Sequence, residues 1–277
     1  MRNSVNKDIN FTKMVGAGND FIVIDCLAKK GGKRYSSFSN LAGYLCERRV
    51  GVGADGMLVL EKSRTSNFKM RIFNADGSEA EMCGNGLRCA VLFFNKKGNV
   101  TIETMAGRYE ARITGRNKVK IKMERPKDIT LDIPVKLNGR RIHVSYIDTG
   151  VPHAVVFVNG LNDINVESIG RSIRFYNKFK PRGTNVDFVE IMDDKNIKMR
   201  TYERGVEGET LACGTGAVAS ALITSCKLSG KDFIKVHTKG GILNIFFSNK
   251  SGNIKDVFLE GEAKTVFKGK LQGGYYV

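Results

Sequence analysis

Glu79-Ala80-Glu81-Met82-Cys83-Gly84-Asn85-Gly86 recurs in the second half of the chain as Glu209-Thr210-Leu211-Ala212-Cys213-Gly214-Thr215-Gly216. Each copy sets a cysteine and then Gly-x-Gly ahead of an apolar run. After Cys83, the residues Leu87, Ala90, Val91 and Phe94 fall on one helical stripe, and Lys96-Lys97-Gly98 supplies the cations and glycine that helix ends favour. After Cys213, Ala217-Val218-Ala219-Ser220-Ala221-Leu222-Ile223 is apolar almost all round, which marks a buried helix ending near Lys227 and Gly230. A cysteine at a helix start lies among unpaired backbone N–H groups at the positive end of the dipole. That position favours a reactive thiolate. Two such sites predict two opposed cysteines, one accepting a proton while the other gives one, which is the minimum equipment for inverting a stereocentre.

The duplication predicts more than the two helices. Short strands are expected over 21–25, 57–61, 69–74, 100–104, 109–114 and 118–123, and again over 153–158, 186–191, 197–203, 234–238, 242–248 and 256–260. Asn19-Asp20-Phe21 and Asn185-Val186-Asp187-Phe188 each open a strand. Val100–Gly107 and Val236–Gly241 share a Thr-x-small-Gly ending. The segment Glu124–Arg140, with Pro126 and Pro134, reads as the crossover between halves. Two similar α+β halves, each of strands wrapping one helix, with a site between them, is the economical architecture.

Composition narrows the function classes. A chain of 277 residues, 42% of them hydrophobic, can bury one large core or two ordinary ones. No apolar stretch is long enough to span a membrane. Met1–Asp8 has no apolar leader-like run, so the expected location is the cytoplasm. The net charge of +17 is spread along the chain; its densest run, Lys29–Arg34, reads as a surface loop, and nucleic-acid binding is not expected. Six cysteines without a C-x-x-C pair, and only three histidines, argue against structural zinc and against a disulfide scaffold.

Gly51-Val52-Gly53-Ala54-Asp55-Gly56 matches G-x-G-x-x-G, but it follows a predicted helix (Leu41–Arg49) and precedes a predicted strand, the reverse of a dinucleotide fold. It is read as a loop. Cys26, Cys46, Cys89 and Cys226 read as small buried hydrophobes, because no glycine-rich helix start follows them. Gly84, Gly86, Gly214 and Gly216 would strip away side chains where a ligand approaches backbone N–H groups. Four positions stay open on local chemistry alone. Asn74 and Glu203, nine and ten residues ahead of the cysteines, each also suit a turn. His153, in Val151-Pro152-His153, also suits a strand edge, and Arg204 also suits a surface pair with Glu203.

Together, Gly18-Asn19-Asp20-Phe21, Arg71–Glu79, Cys83-Gly84-Asn85-Gly86-Leu87-Arg88-Cys89, Gly150-Val151-Pro152-His153, Tyr202–Gly205 and Glu209–Gly216 resemble the diaminopimelate epimerase family, in order, from about Lys13 to the C-terminus. The resemblance implies two pseudo-symmetric lobes, each a β-barrel-like sheet around a central helix, over 1–127 and 128–262, with 263–277 returning to the first. It implies interconversion of LL- and meso-diaminopimelate without pyridoxal phosphate, metal or other cofactor, in lysine and peptidoglycan synthesis, by a homodimer. Cys83 and Cys213 match the acid/base pair, Cys213 abstracting from the LL isomer and Cys83 donating. His153 and Glu203 match positions that tune the thiols. Gly84, Asn85, Gly214 and Thr215 match donors to the reacting carboxylate, and Asn19, Asn74, Asn185, Glu203 and Arg204 match substrate-holding positions, Arg204 suiting a distal carboxylate. Gly56 and Val151 depart from residues found in some members and are read as altered contacts. Two other readings remain: a two-thiol racemase for a smaller amino acid such as proline, and a redox sensor joining Cys83 and Cys213 in a reversible disulfide.

Overall fold

The computed structural model describes residues 8–27, 37–137, 139–228, 232–250 and 253–272. Most of the Met1–Asp8 segment, the basic run Lys29–Arg34 and Gly230 lie outside the described residues. The chain forms two compact units, Met1–Ile121 with Glu262–Val277, and Lys122–Gly261. Sheet dominates both, so the fold is mixed α+β. Among the described residues no helix is long and apolar enough to cross a membrane.

The first unit runs β1 (Ile9–Gly16), β2 (Asn19–Asp25), α1 (Phe38–Cys46), β3 (Gly56–Glu61), β4 (Phe68–Asn74), β5 (Glu79–Ala80), α2 (Gly84–Phe94), β6 (Asn99–Thr104), β7 (Gly107–Gly115) and β8 (Lys118–Lys122). The second runs β9 (Lys127–Leu137), β10 (Arg140–Asp148), β11 (Pro152–Phe157), α3 (Val166–Arg174), β12 (Asn185–Ile191), β13 (Asn196–Glu203), β14 (Gly208–Thr210), α4 (Gly214–Leu228), β15 (Phe233–Thr238), β16 (Gly241–Lys250) and β17 (Asn253–Glu262). β18 (Lys264–Leu271) then pairs antiparallel with β1.

The pairings repeat. β1–β2 is antiparallel, β2–β3 parallel, β3–β4 and β4–β5 antiparallel, β4–β6 parallel, and β6–β7 and β7–β8 antiparallel. β10 to β17 follow the same sequence of senses, and β9 joins β10 antiparallel as β18 joins β1. One helix fills each unit. β1, β2, β3, β4, β7 and β18 contact α2, which is buried from Asn85 through Val91. α4 is contacted by β10, β11, β12, β13, β15 and β16, and is buried from Gly216 through Ser225. That explains its apolar composition on every side.

Four expectations need correction, and one helix is additional to them. The proposed crossover Glu124–Arg140 is largely strand β9, with Pro134 in the ladder opposite His143. β9 is mostly exposed and irregular, a setting where proline is tolerated in a sheet. The polar openings of the Asn19 and Asn185 strands are not equivalents: topology matches β2 with β11 and β3 with β12. Short polar-to-apolar transitions recur at many strand starts, so the likeness carries no register information. α2 ends at Asn95, in the left-handed conformation at φ 49°, its N–H on the Val91 carbonyl, and not at Lys96-Lys97-Gly98. α1 covers Phe38–Cys46 in place of Leu41–Arg49, because Ser37 caps it early and Glu47 is already extended. Finally α3, capped by Asn165, went unanticipated.

The Thr-x-small-Gly endings are the β6–β7 and β15–β16 hairpins. Thr104 Oγ1 donates to the Gly107 carbonyl at 3.0 Å and Thr238 Oγ1 to the Gly241 carbonyl at 2.8 Å. Gly51–Ala54 is a loop as expected, its N–H groups returning to carbonyls of Leu45, Cys46 and Glu47.

Candidate active site

In the first unit, β5 delivers the chain to Cys83, the cap of α2. Its backbone is extended (φ −144°, ψ 119°), and its carbonyl accepts the Leu87 N–H at 2.8 Å. The N–H groups of the following turn therefore point past the cap without intrahelical acceptors. A Cβ on Gly84 would meet nothing within 4 Å, so this helix start faces open space. Gly86 answers to packing instead: its Cβ would lie 3.0 Å from Leu58 Cδ2.

Behind Cys83 runs a polar chain. Arg88 Nη2 donates to Asn85 Oδ1 at 2.5 Å, Asn85 Nδ2 to Asn19 Oδ1 at 2.6 Å, and Asn19 Nδ2 to Asp55 Oδ2 at 3.0 Å. Arg88 is 0% exposed, and its Nε and Nη1 have no hydrogen-bond partner among the described residues. Burial depresses its proton affinity; the nearby Cys89 and Cys83 thiols act in the other direction. The Arg88 guanidinium and the Cys83 thiol are thus near enough to interact electrostatically. Asn74, at the end of β4, bonds Ser78 through Nδ2 at 2.9 Å in the turn its sequence allowed. A Cβ on Gly56 would sit 2.8 Å from the Phe73 carbonyl oxygen, so no side chain fits there without moving β4.

The second unit carries a denser network. Cys213 is 6% exposed and directly precedes α4, its carbonyl accepting the Ala217 N–H at 2.9 Å. Its Sγ lies 3.4 Å from Thr215 Oγ1, and the Gly216 N–H also donates to it. Thr215 Oγ1 is 3.0 Å from His153 Nε2, and His153 Nδ1 is 2.7 Å from Asp187 Oδ2. The parallel β11–β12 register sets His153 opposite Asn185, and the antiparallel β12–β13 register sets Asp187 opposite Thr201, whose Oγ1 donates to Asp187 Oδ1 at 2.7 Å. Asn185 Oδ1 accepts the Arg204 N–H at 2.7 Å, leaving its Nδ2 3.4 Å from His153 Nε2. The guanidinium of Arg204 donates to the Arg182 carbonyl at 3.2 Å.

The helix start predicts an acidified thiol, and Cys213 departs from that expectation. Burial pushes its thiol far above the ordinary range, the Glu203 and Asp187 carboxylates push further, and the Thr215 hydroxyl and Gly216 N–H oppose them only in part. Glu203 is itself raised by burial, against the Thr210 hydroxyl and His153. The two cysteines thus sit in unlike fields: five residues beyond Cys83 stands Arg88, and five beyond Cys213 stands Val218. Cys46 and Cys89 are buried, with thiols pushed up to about 11 and about 12. Cys26 and Cys226 are only half-buried, so the fully buried reading fails for them. Among the described residues no group of three or more His, Cys, Asp and Glu could hold a metal ion.

Within each unit, then, the predicted residues assemble around a helix-initial cysteine: Asn19, Gly84 and Asn85 with Cys83, and His153, Asn185, Glu203, Arg204, Gly214 and Thr215 with Cys213. Asp187 and Arg88 escaped the sequence reading. Their signal is an ionisable residue inside an otherwise apolar buried run, Val186–Val189 on β12 and Leu87–Val91 on α2.

The mixed α+β fold is shared with solved structures. A PhzF-family phenazine biosynthesis protein from Bacillus anthracis matches 96% of this chain and 99% of its own at TM-score 0.71 and 16% identity. A probable proline racemase from Agrobacterium radiobacter K84 matches 95% of this chain and 92% of its own at TM-score 0.65 and 17% identity. Sequence is more particular. The family model for diaminopimelate epimerase matches residues 11–129 and 145–266. Proteins named diaminopimelate epimerase from Methanocella arvoryzae, Aquifex aeolicus and Caldanaerobacter subterraneus are 43%, 42% and 40% identical, each over 95% of this chain and 96%, 98% and 100% of theirs. The chain belongs to the diaminopimelate epimerase family.

Proposed function

We propose that this protein is a cofactor-independent isomerase that interconverts LL- and meso-diaminopimelate by moving one α-proton between two thiols. The observation that carries the reading is the repeated helix-initial cysteine, held in each unit with backbone donors ahead of it, in a chain of this family. Cys213 takes the α-proton of the LL isomer and Cys83 delivers one to the opposite face; the reverse reaction exchanges the roles. Orphan N–H groups at Gly84-Asn85 and Gly214-Thr215 bind the reacting carboxylate and stabilise charge spreading onto it as the carbanion forms. Asn19, Asn74 and Asn185 hold the substrate, and the Arg204 fork takes the distal carboxylate.

Burial first, and then the Glu203 and Asp187 carboxylates, favour the thiol form of Cys213. For Cys213 to act as base, its proton must leave, and His153, 3.0 Å from the Thr215 hydroxyl that meets Cys213 Sγ, is the group at hand. We assign the protein to the cytoplasm as a homodimer serving lysine and peptidoglycan synthesis. The test is proton NMR of LL-diaminopimelate with reduced protein in D2O: appearance of the meso isomer with deuterium at one α-carbon supports the reading. No turnover, with exchange of proline instead, selects the smaller-substrate racemase. Alkylation of both cysteines unaffected by diaminopimelate selects the redox sensor.

A further inference from the structure

Within the two-thiol reading, we propose that Thr215, His153 and Asp187 form a proton relay that deprotonates Cys213, with Asp187 as the positioning residue that fixes the His153 tautomer. The hydrogen-bond directions follow from donors whose identity is certain. The Arg204 backbone N–H can only donate, so the Asn185 atom it meets at 2.7 Å is the carbonyl oxygen. The Asn185 atom 3.4 Å from His153 Nε2 is then the amide nitrogen, which cannot accept a proton from the ring. The Asp187 carboxylate accepts at Oδ2, 2.7 Å from Nδ1, so the ring proton sits on Nδ1 and the single lone pair of Nε2 is left for the Thr215 hydroxyl. Both side chains are fully buried, so this contact has no water competing for it.

Thr215 has one hydroxyl proton. With Nε2 as acceptor at 3.0 Å, that proton points to the ring, leaving an oxygen lone pair for the Cys213 S–H at 3.4 Å. Deprotonation is then a two-proton shift. The S–H bond breaks as a new O–H bond forms at Thr215 Oγ1, while the original Thr215 O–H breaks and N–H forms at His153 Nε2. The products are a thiolate at Cys213, an unchanged threonine and an imidazolium beside the Asp187 carboxylate. Total charge is conserved, and running the shift backwards restores the thiol.

Asp187 suits this role by its own bonding. Oδ1 accepts the Thr201 hydroxyl at 2.7 Å, so the carboxylate is clamped in plane while Oδ2 takes Nδ1–H. Glu203 is the other acid facing Cys213. It adds negative charge without joining the hydrogen-bonded chain, and so opposes the thiolate that the relay creates.

The experiment reads the relay without substrate, so its failure is distinct from failure of the epimerase reading. ¹⁵N-histidine NMR of the full chain at neutral pH should show His153 protonated on Nδ1 and bare at Nε2. Iodoacetamide labelling of each cysteine, followed by mass spectrometry, should show Cys213 alkylated about tenfold to a hundredfold more slowly in Thr215→Val and Asp187→Asn. Cys83 should label at the unchanged rate, which reports an intact fold, and Thr215→Ser should restore Cys213. A His153 proton on Nε2 in the unmodified protein, or Thr215→Val labelling Cys213 at the unmodified rate, would overturn the relay.

Discussion

A Cβ on Gly216 would lie 2.4 Å from Oδ1 of Asp187, so the third residue of α4 is held to glycine by the carboxylate that bonds His153. The Gly-x-Gly following Cys213 is thus two devices in three residues, a helix start and a berth for a buried acid.

Gly216→Ala must displace Asp187 or α4. A loss of about 1–3 kcal/mol is expected for overpacking at a buried site, with turnover down at least tenfold on the scale set by disturbed supporting groups. Thermal melting and steady-state kinetics on one preparation check both. Gly84→Ala, where a Cβ meets nothing within 4 Å, should leave the melting temperature in place and affect only substrate binding.

Arg88 has a buried guanidinium with two nitrogens that find no hydrogen-bond partner among the described residues. Arg88→Met removes the cation beside Cys83 and takes away the donor to Asn85 Oδ1, at a cost of about 1–3 kcal/mol for the buried acceptor left behind. Cys83 labelling at neutral pH should slow about tenfold, the effect of roughly one unit of thiol acidity, with Cys213 unchanged.

Glu203 is raised by burial, so its folded form holds a proton more tightly than its unfolded form. Its contribution to stability is present at low pH and is lost as pH rises from the ordinary carboxylate range through the raised folded value. Glu203→Gln should accordingly flatten that decline and melt at or above the unmodified protein at neutral pH, while turnover falls. Melting across a pH series separates the two effects.

Asp20 runs the other way. Burial pulls its carboxyl up, but hydrogen bonds from Arg48 and Lys13 outweigh it and hold it well below the usual range. The Lys13 ammonium lies 2.7 Å away and is nearly buried. This stability is present above the ordinary aspartate range and is lost as pH falls. Asp20→Asn should cost about 1–3 kcal/mol at neutral pH, by removing the counter-charge of a nearly buried ammonium that keeps only the Gly53 carbonyl and a neutral amide, and should flatten the acid limb of the stability curve.

Much of this was legible in the sequence. Most strands that line the central helices alternate or run apolar clearly enough to be placed within a few residues, β1, β10 and β18 being the exceptions, and the repeated Cys-Gly-x-Gly located both helix starts. What escaped was set by tertiary context. β9 is exposed and carries Pro134, so it shows no burial pattern to read. α3 did leave a trace: Val166, Ile169, Gly170 and Ile173 share one face after the Asn165 cap. The setting of the Cys213 thiol is not legible locally, because the helix dipole is a local property, whereas the burial that raises the thiol, and the acids on β12 and β13 that add to it, are set by tertiary packing. Asp187 was hidden for the same reason; only strand register brings Thr201 and His153 to it.

The central claim, two bases acting from opposite faces, is tested most directly by following both substrate and product in D2O during the first turnovers. A second thiol exchanged with solvent should place deuterium in nearly every newly formed meso molecule, while recovered LL substrate keeps its protium. Cys83→Ala and Cys213→Ala should each abolish conversion. Deuterium entering the recovered LL isomer as fast as product forms, or turnover persisting in either variant, would mean that one base serves both faces and would contradict the account.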